Sequence, residues 1–442
     1  MRALRCVLIV VAALAVGASV GDPRTAVAAL PPGNAVAQWN RIAEDTVVGS
    51  GAFQNEGLVY MAYVSAAVYD AVVAIEGKYE PYVVAVELRT DASPEAAAVE
   101  AAYRSLVHYF PAQAGALGSL YAEGLGQIPD GPAKSVGQAV GLLAATHVIG
   151  LRTGDGRLTP IGVTSPFPTL PEGPGVWRLT PPFAAPQTPW VASVRPFILE
   201  RADQFRPPAP PSLQSRKWAR EFKTIKAYGA ATGSARTDDQ TAVARFWSAN
   251  VIRQYNRLAR EIADSRRLGL VDTARLAAMV NVIGADAQIA VMAAKYHYLF
   301  WRPVTAIDPS AVTSDGFGPV PGYEDGNPAT AEQSGWRPLL TTPNHPEYPA
   351  AHGSITSAMA DVFSHFLGTS RIDLSIAGFD PAGPAGNLNA VRHFRRASDL
   401  RNEIVDARIW AGLHYRFSGA AGVDLGRVVA RYDLERAFQL AD

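Results

Sequence analysis

The sequence predicts an all-α protein of packed helical bundles, joined by long proline- and glycine-rich loops. Three observations carry that expectation. Apolar residues recur at helical spacing along most of the chain, with helix-starting residues where several runs begin. The N-terminal half shows no strand-like alternation of any length. Proline and glycine are concentrated in a few stretches, above all 159–211.

In order, 35–43 reads as a short opening helix carrying Trp39 and Asn40. Residues 56–75 are apolar nearly all round, which marks a buried helix. Asp70 and the tyrosines within it argue against a membrane span, and Asp70 reads as a satisfied core carboxylate. Residues 94–110 and 112–126 form an alanine-rich helical pair. Pro132 starts a helix that runs to about Leu151, with Asp130 as its expected cap. The stretch 159–211 repeats aromatics (Trp177, Trp190, Phe197) among its prolines, so it is expected to wrap the surface as an ordered loop.

Helices resume at 213–228. Thr237 and Gln240 have capping-box spacing before a helix at 242–248. Residues 251–267 are charged on one side and apolar on the other, and 272–301 read as one long helix holding a buried Asp286 of no assigned role. A helix at 353–367, a loop at 380–386 and helices at 390–418 and 425–438 close the chain. No repeat, nucleotide loop or low-complexity tract is evident.

Residues 1–28 have the features of a secretory signal: Arg2 and Arg5, an apolar core at 6–16, and Ala26-Val27-Ala28 as a cleavage pattern. The expectation is an extracytoplasmic protein whose residues 29–442 form one domain. That domain divides into an N-terminal helical half at 35–155, the connecting loop at 159–211 and a catalytic half at 212–442. Cys6 is the only cysteine, so the mature chain would have no disulfide, thiol nucleophile or cysteine-bound iron–sulfur cluster, haem or zinc. Equal numbers of basic and acidic residues, 40 each, give no sign of nucleic acid or a membrane surface as partner. The oligomeric state is not legible.

Three islands carry the chemistry. Lys295 and Arg302-Pro303 stand seven residues apart, which on a continuous helix places both cations on nearly one face. His345 opens a proline-rich turn that leads through Pro349, Ala350 and Ala351 to His352, expected at a helix N-terminus where an anion is favoured. Arg408 and His414 are six apart, about 120° off a shared helix face. They converge if Arg408 reaches around or sits at the helix start. One lysine, two arginines and three histidines can hold a tetrahedral oxyanion and move protons on it. His147, His297, His365 and His393 read as structural, His365 in a surface pair with Asp361.

In order and spacing, these islands resemble the vanadium-dependent haloperoxidases, relatives of the type 2 phosphatidic acid phosphatases. The family pattern is Lys, six residues, Arg-Pro; then Pro-Ser-Gly-His; then Ser-Arg, five residues, His, three residues, Asp. Lys295, Arg302, Pro303, Pro349, His352, Arg408 and His414 match it. Phe300-Trp301 looks like the haloperoxidase branch, and Asn40, the 66–73 run with Tyr69-Asp70, the 325–328 turn and His345-Pro-Glu-Tyr look like its secreted bacterial members. Ala350, Ala351, Ala407 and Ser418 depart from it: they replace the pattern's Ser-Gly, Ser and final Asp.

The resemblance implies a vanadate cofactor held by Lys295, Arg302, Arg408 and the amide of Ala351. His414 would bind vanadium and His352 would act as acid and base on peroxide protons. His345 and Trp301 are candidates for contacting substrate. His345 stands where the family's bromoperoxidases carry histidine, which implies bromide over chloride. The implied reaction is halide oxidation by hydrogen peroxide, passing halogen to an organic acceptor, with no membrane partner once the signal is removed. Two alternatives remain: a soluble secreted phosphatase with His414 as nucleophile, and a non-catalytic binding relative.

Overall fold

The computed structural model describes residues 29–83, 89–159, 173–180, 185–308, 324–379 and 388–441. The expected signal at 1–28, parts of the 159–211 loop and the 380–386 loop lie outside the described residues. Helices α1 (Ala35–Gly49), α2 (Gln54–Glu76), α3 (Pro94–Tyr109), α4 (Ala114–Gly126) and α5 (Pro132–Leu151) form the first bundle. Local chemistry sets several of their ends. Asn34 and Ser93 cap the first turns of α1 and α3, and prolines open α3 and α5. Asp130 does not cap α5. Pro132 at the first helical position makes Gly131 the cap, and Asp130 pairs with Lys134 at 2.8 Å. The apolar α2 is buried on all sides, and Asp70 accepts the N–H groups of Tyr82 (2.6 Å) and Val83 (3.1 Å).

The second half contains α6 (Arg216–Tyr228), α7 (Asp238–Phe246), α8 (Val251–Ser265), α9 (Leu270–Ala278), α10 (Gly284–Tyr298), α11 (Pro303–Ile307), α12 (Ala351–Leu367), α13 (Ala397–Trp410) and α14 (Arg416–Leu434). Thr237 and Gln240 make the expected capping box of α7. α9 and α10 form one continuous helix, Leu270–Tyr298, with a π turn at Met279–Ile283. Among the described residues, this helix and α2 are long and apolar enough to cross a membrane, and both are wholly buried inside the fold. α9 packs on α2, and α10 packs on α12 and α14. One apolar core therefore reaches from Val36 to Phe438.

The last part of the chain departs from the expected pair of long helices. Strands β1 (Leu374–Gly378) and β2 (Ala390–Phe394) form an antiparallel ribbon with Leu374 opposite Phe394. The expected helix at 390–418 is thus divided into β2, α13, a turn and the start of α14. His365 does not pair with Asp361, because Arg401 of α13 takes that carboxylate and His365 lies beside Arg275.

In its described parts the proline-rich segment is tied down. The Asp286 carboxylate accepts the N–H groups of Phe197, Ile198 and Leu199 at 2.6, 2.7 and 3.0 Å. Asn344 accepts that of Thr180 at 2.9 Å.

α12 and α14 cross backbone against backbone. A Cβ at Gly422 would lie 2.3 Å from the Ala350 carbonyl oxygen, at the start of α12. Gly422→Ala is therefore expected to push the helices apart and cost about 1–3 kcal/mol. A urea titration measures this. An unchanged midpoint would mean that the close crossing does not hold the α12 N-terminus in place.

Candidate active site

Lys295 lies in the last turn of α10, fully buried. Its Nζ donates to the carbonyls of Pro346 (2.8 Å) and Glu347 (2.9 Å). The helix does not continue to Arg302. Leu299 adopts a left-handed φ of +48°, and the chain then runs beside residues 175–177. Trp301 donates its N–H to the Gly175 carbonyl at 3.1 Å, and Arg302 becomes the N-cap of α11. Lys295 and Arg302 therefore do not share a helix face, as their spacing had suggested. The 345–347 segment brings them together. Arg302 Nε donates to the His345 carbonyl (2.9 Å), and its two terminal nitrogens reach the Leu413 carbonyl (3.0 Å), His414 Nε2 (3.2 Å) and His345 Nδ1 (3.0 Å).

Arg408 sits at the end of α13, not at a helix start, and its guanidinium donates to the Trp247 carbonyl at 3.2 Å. Gly412, at φ +79°, then turns the chain. A Cβ there would lie 2.5 Å from the Gly229 carbonyl oxygen, so shape and backbone angle both require glycine. The N–H groups of Leu413 and His414 fold back onto the Arg408 carbonyl at 3.1 and 3.3 Å. This turn, rather than a continuing helix, brings His414 to the site.

The hydrogen-bond partners set the tautomer of His414. Its Nε2 faces Arg302, which can only donate, so Nε2 carries the lone pair. Its Nδ1 then carries the proton and donates to Glu347 Oε1 at 2.9 Å. The same oxygen accepts the Tyr415 N–H at 3.0 Å. Ser418, at the position of the pattern's aspartate, donates instead to the Glu347 carbonyl at 3.3 Å. Sequence reasoning missed Glu347. Its signal was an acidic residue inside the second island together with a missing carboxylate at 418.

His345 is buried, and its Nδ1 accepts from Arg302. Trp301 is 1% exposed and stacks on Trp218 with centroids 5.9 Å apart. It thus backs the site from within an aromatic cluster and offers no open ring face to a substrate. His352 is partly buried in the first turn of α12, whose N-cap, Ala350, provides no capping side chain. The first-turn N–H groups, that of Ala351 included, have no partner within the helix.

Burial dominates the electrostatics. It holds Lys295 well below its ordinary pKa, and Arg302 and Arg408 add to this by repulsion. Burial also brings Arg302 down to about 10, and burial with repulsion from Arg302 brings Arg408 down to about 9. Burial raises Glu347 to about 7 against the pull of Lys295 and Arg302. His345, His352 and His414 are all held well below the usual histidine range, first by burial and then by the nearby cations, so they are neutral.

Three cations thus face one carboxylate in a buried setting, and polar groups remain to spare. Arg408 Nε and His352 Nε2 are buried without a partner. Lys295 uses two of its three N–H groups. With the free N-terminus of α12 and the lone pair on His414 Nε2, this set fits a multiply charged tetrahedral oxyanion that also accepts one nitrogen ligand, as vanadate does.

The VCPO second helical-bundle domain matches residues 275–442, which hold every residue of this site from Lys295 to His414. Vanadium chloroperoxidase of Curvularia inaequalis is 25% identical over 325 residues, covering 60% of this chain and 51% of that one. Over its C-terminal part the chain is thus similar to the vanadium haloperoxidases. It spans about half the length of that curated relative. The vanadium haloperoxidase fold extends over nearly the whole chain. A bacterial vanadium-dependent iodoperoxidase superposes with a TM-score of 0.72 at 22% identity, covering 94% of this chain and 100% of its own. A bacterial vanadium-dependent chloroperoxidase in its holo form gives 0.67 at 18% identity, covering 89% and 92%.

Proposed function

We propose that this chain is a vanadate-dependent peroxidase that oxidises halide with hydrogen peroxide and passes the oxidised halogen to an organic acceptor. The observation that carries the reading is the His414 lone pair, held beside a buried arginine within a three-cation cradle. Lys295, Arg302, Arg408 and the Ala351 amide would hold vanadate oxygens, and His414 Nε2 would bind the metal. Vanadate bound there supplies a Lewis-acidic centre at which hydrogen peroxide is activated for attack by halide. His352, neutral and with an unpartnered Nε2, is suited to take and return a proton at that atom. Lys295 and the two arginines would draw negative charge from the bound anion in a site largely closed to water. His345 supports bromide over chloride as the halide. The features of residues 1–28 support action outside the cytoplasm after their removal.

A phosphatase reading has one observation in its favour. A histidine whose Nδ1–H is bonded to a carboxylate presents Nε2 as a nucleophile as readily as it presents a metal ligand.

One assay separates the two. Protein 29–442 is given hydrogen peroxide with bromide, iodide or chloride, with and without orthovanadate. Halide oxidation that requires vanadate is expected, with bromide oxidised faster than chloride. Hydrolysis of a phosphomonoester that vanadate inhibits, without halide oxidation, would move the protein to the phosphatase reading. Neither activity would leave a binding protein.

A further inference from the structure

Ser418 stands where the family pattern has an aspartate four residues after the metal-binding histidine. A serine hydroxyl cannot supply the negative charge that fixes an imidazole and raises its basicity. Ser418 is also committed elsewhere, donating to the Glu347 carbonyl. Within the described residues, the carboxylate that reaches His414 is Glu347, from the turn before α12.

We infer that Glu347 is the positioning residue of His414: it holds the imidazole in the Nδ1–H tautomer with Nε2 turned to the cradle, and so replaces the missing aspartate from another part of the chain. The inference rests on the reading that His414 Nε2 binds vanadium.

Three features support the assignment. Glu347 and His414 are both fully or nearly fully buried, so water does not compete for their bond. Oε2 has no partner, and the bonds to the carboxylate converge on Oε1, from His414 Nδ1 and the Tyr415 N–H. The residue is also pinned by its backbone. Its N–H donates to the Phe300 carbonyl at 2.9 Å, and its own carbonyl accepts from Lys295 and Ser418. Glu347 thus ties Lys295 to His414, so a shift of the turn would move a cation and the imidazole together. Ser418 then acts as a strut on Glu347, since its hydroxyl grips the backbone of the residue that took over the aspartate's bond.

The assignment is tested without turnover. Long-range nitrogen–proton NMR on the histidine-labelled, metal-free protein reports which nitrogen of His414 carries the proton. The expected result is Nδ1–H in the wild type, its proton moved downfield by the bond to the carboxylate, and loss of that downfield shift in Glu347→Ala. An Nε2–H wild type, or an unchanged Glu347→Ala, overturns the inference. The wild-type spectrum decides even if a variant fails to fold.

Equilibrium binding of orthovanadate and of inorganic phosphate supplies the second readout. In Glu347→Gln, vanadate affinity is expected to fall roughly 10–100-fold, while phosphate, held by the cations alone, binds as well or better because a negative charge is gone. A parallel loss of both anions would give Glu347 only a structural role. Wild-type protein that binds no vanadate would sink the peroxidase reading, and the NMR result would still decide the role of Glu347.

Discussion

His414→Ala is expected to lower orthovanadate affinity at least about 100-fold, more than the loss of a supporting partner costs, while inorganic phosphate affinity changes little. The two anions have the same shape, and both draw on Lys295, Arg302, Arg408 and the N-terminus of α12. They differ in what His414 adds, because a nitrogen lone pair can bond to vanadium in a resting complex but makes no such bond to free phosphate. The substitution leaves the cations in place: Arg302 keeps the Leu413 carbonyl and both contacts to His345, and Lys295 keeps its two carbonyls. Titration calorimetry with each anion measures the difference. Vanadate affinity within a few-fold of wild type would remove His414 as a ligand and leave the site as a general oxyanion cradle.

Arg302→Ala is expected to destabilise the fold by about 3–5 kcal/mol, the cost of removing one partner from a buried charged network. The side chain is fully buried and makes four hydrogen bonds, two to carbonyls and two to histidines. Removing it strands those acceptors. It also leaves Glu347 with one cation fewer nearby and His414 Nε2 without its donor. Arg302→Lys keeps the charge but loses the planar fork that spans 345 and 413–414, so most of the loss is expected to remain. Urea unfolding gives both numbers. A loss below about 1 kcal/mol for Arg302→Ala would place it among ordinary surface changes and show that other groups hold the 345–347 turn and the 413–414 turn together.

Much of this was legible along the chain because it depends on neighbours a few residues apart. Pro94 and Pro132 open helices, Thr237 and Gln240 cap one, and the all-round apolarity of α2 requires the burial it has. The aromatics of the proline-rich segment indicated order, and its described parts are held by Asp286 and Asn344. The order of Lys295, Arg302, His352, Arg408 and His414 carried the resemblance to the vanadium haloperoxidases, which the match over residues 275–442 supports.

The convergence of those residues was not legible. Helical arithmetic placed Lys295 beside Arg302 on one face, and the chain instead breaks at Leu299 because residues 175–177 run beside it. The same arithmetic left Arg408 and His414 apart, and a left-handed turn at Gly412, pressed against Gly229, closes the gap. β2 forms because β1 lies beside it, although its sequence reads as helix. Glu347 lies 67 residues from His414. A carboxylate hydrogen bond carries no periodicity or spacing rule that links its two ends, so only packing could bring that pair together. Residue types and their order thus carried the expectation of an oxyanion chemistry, and long-range backbone contacts decided which side chains lie together, because buried polar groups must find partners wherever the fold provides them.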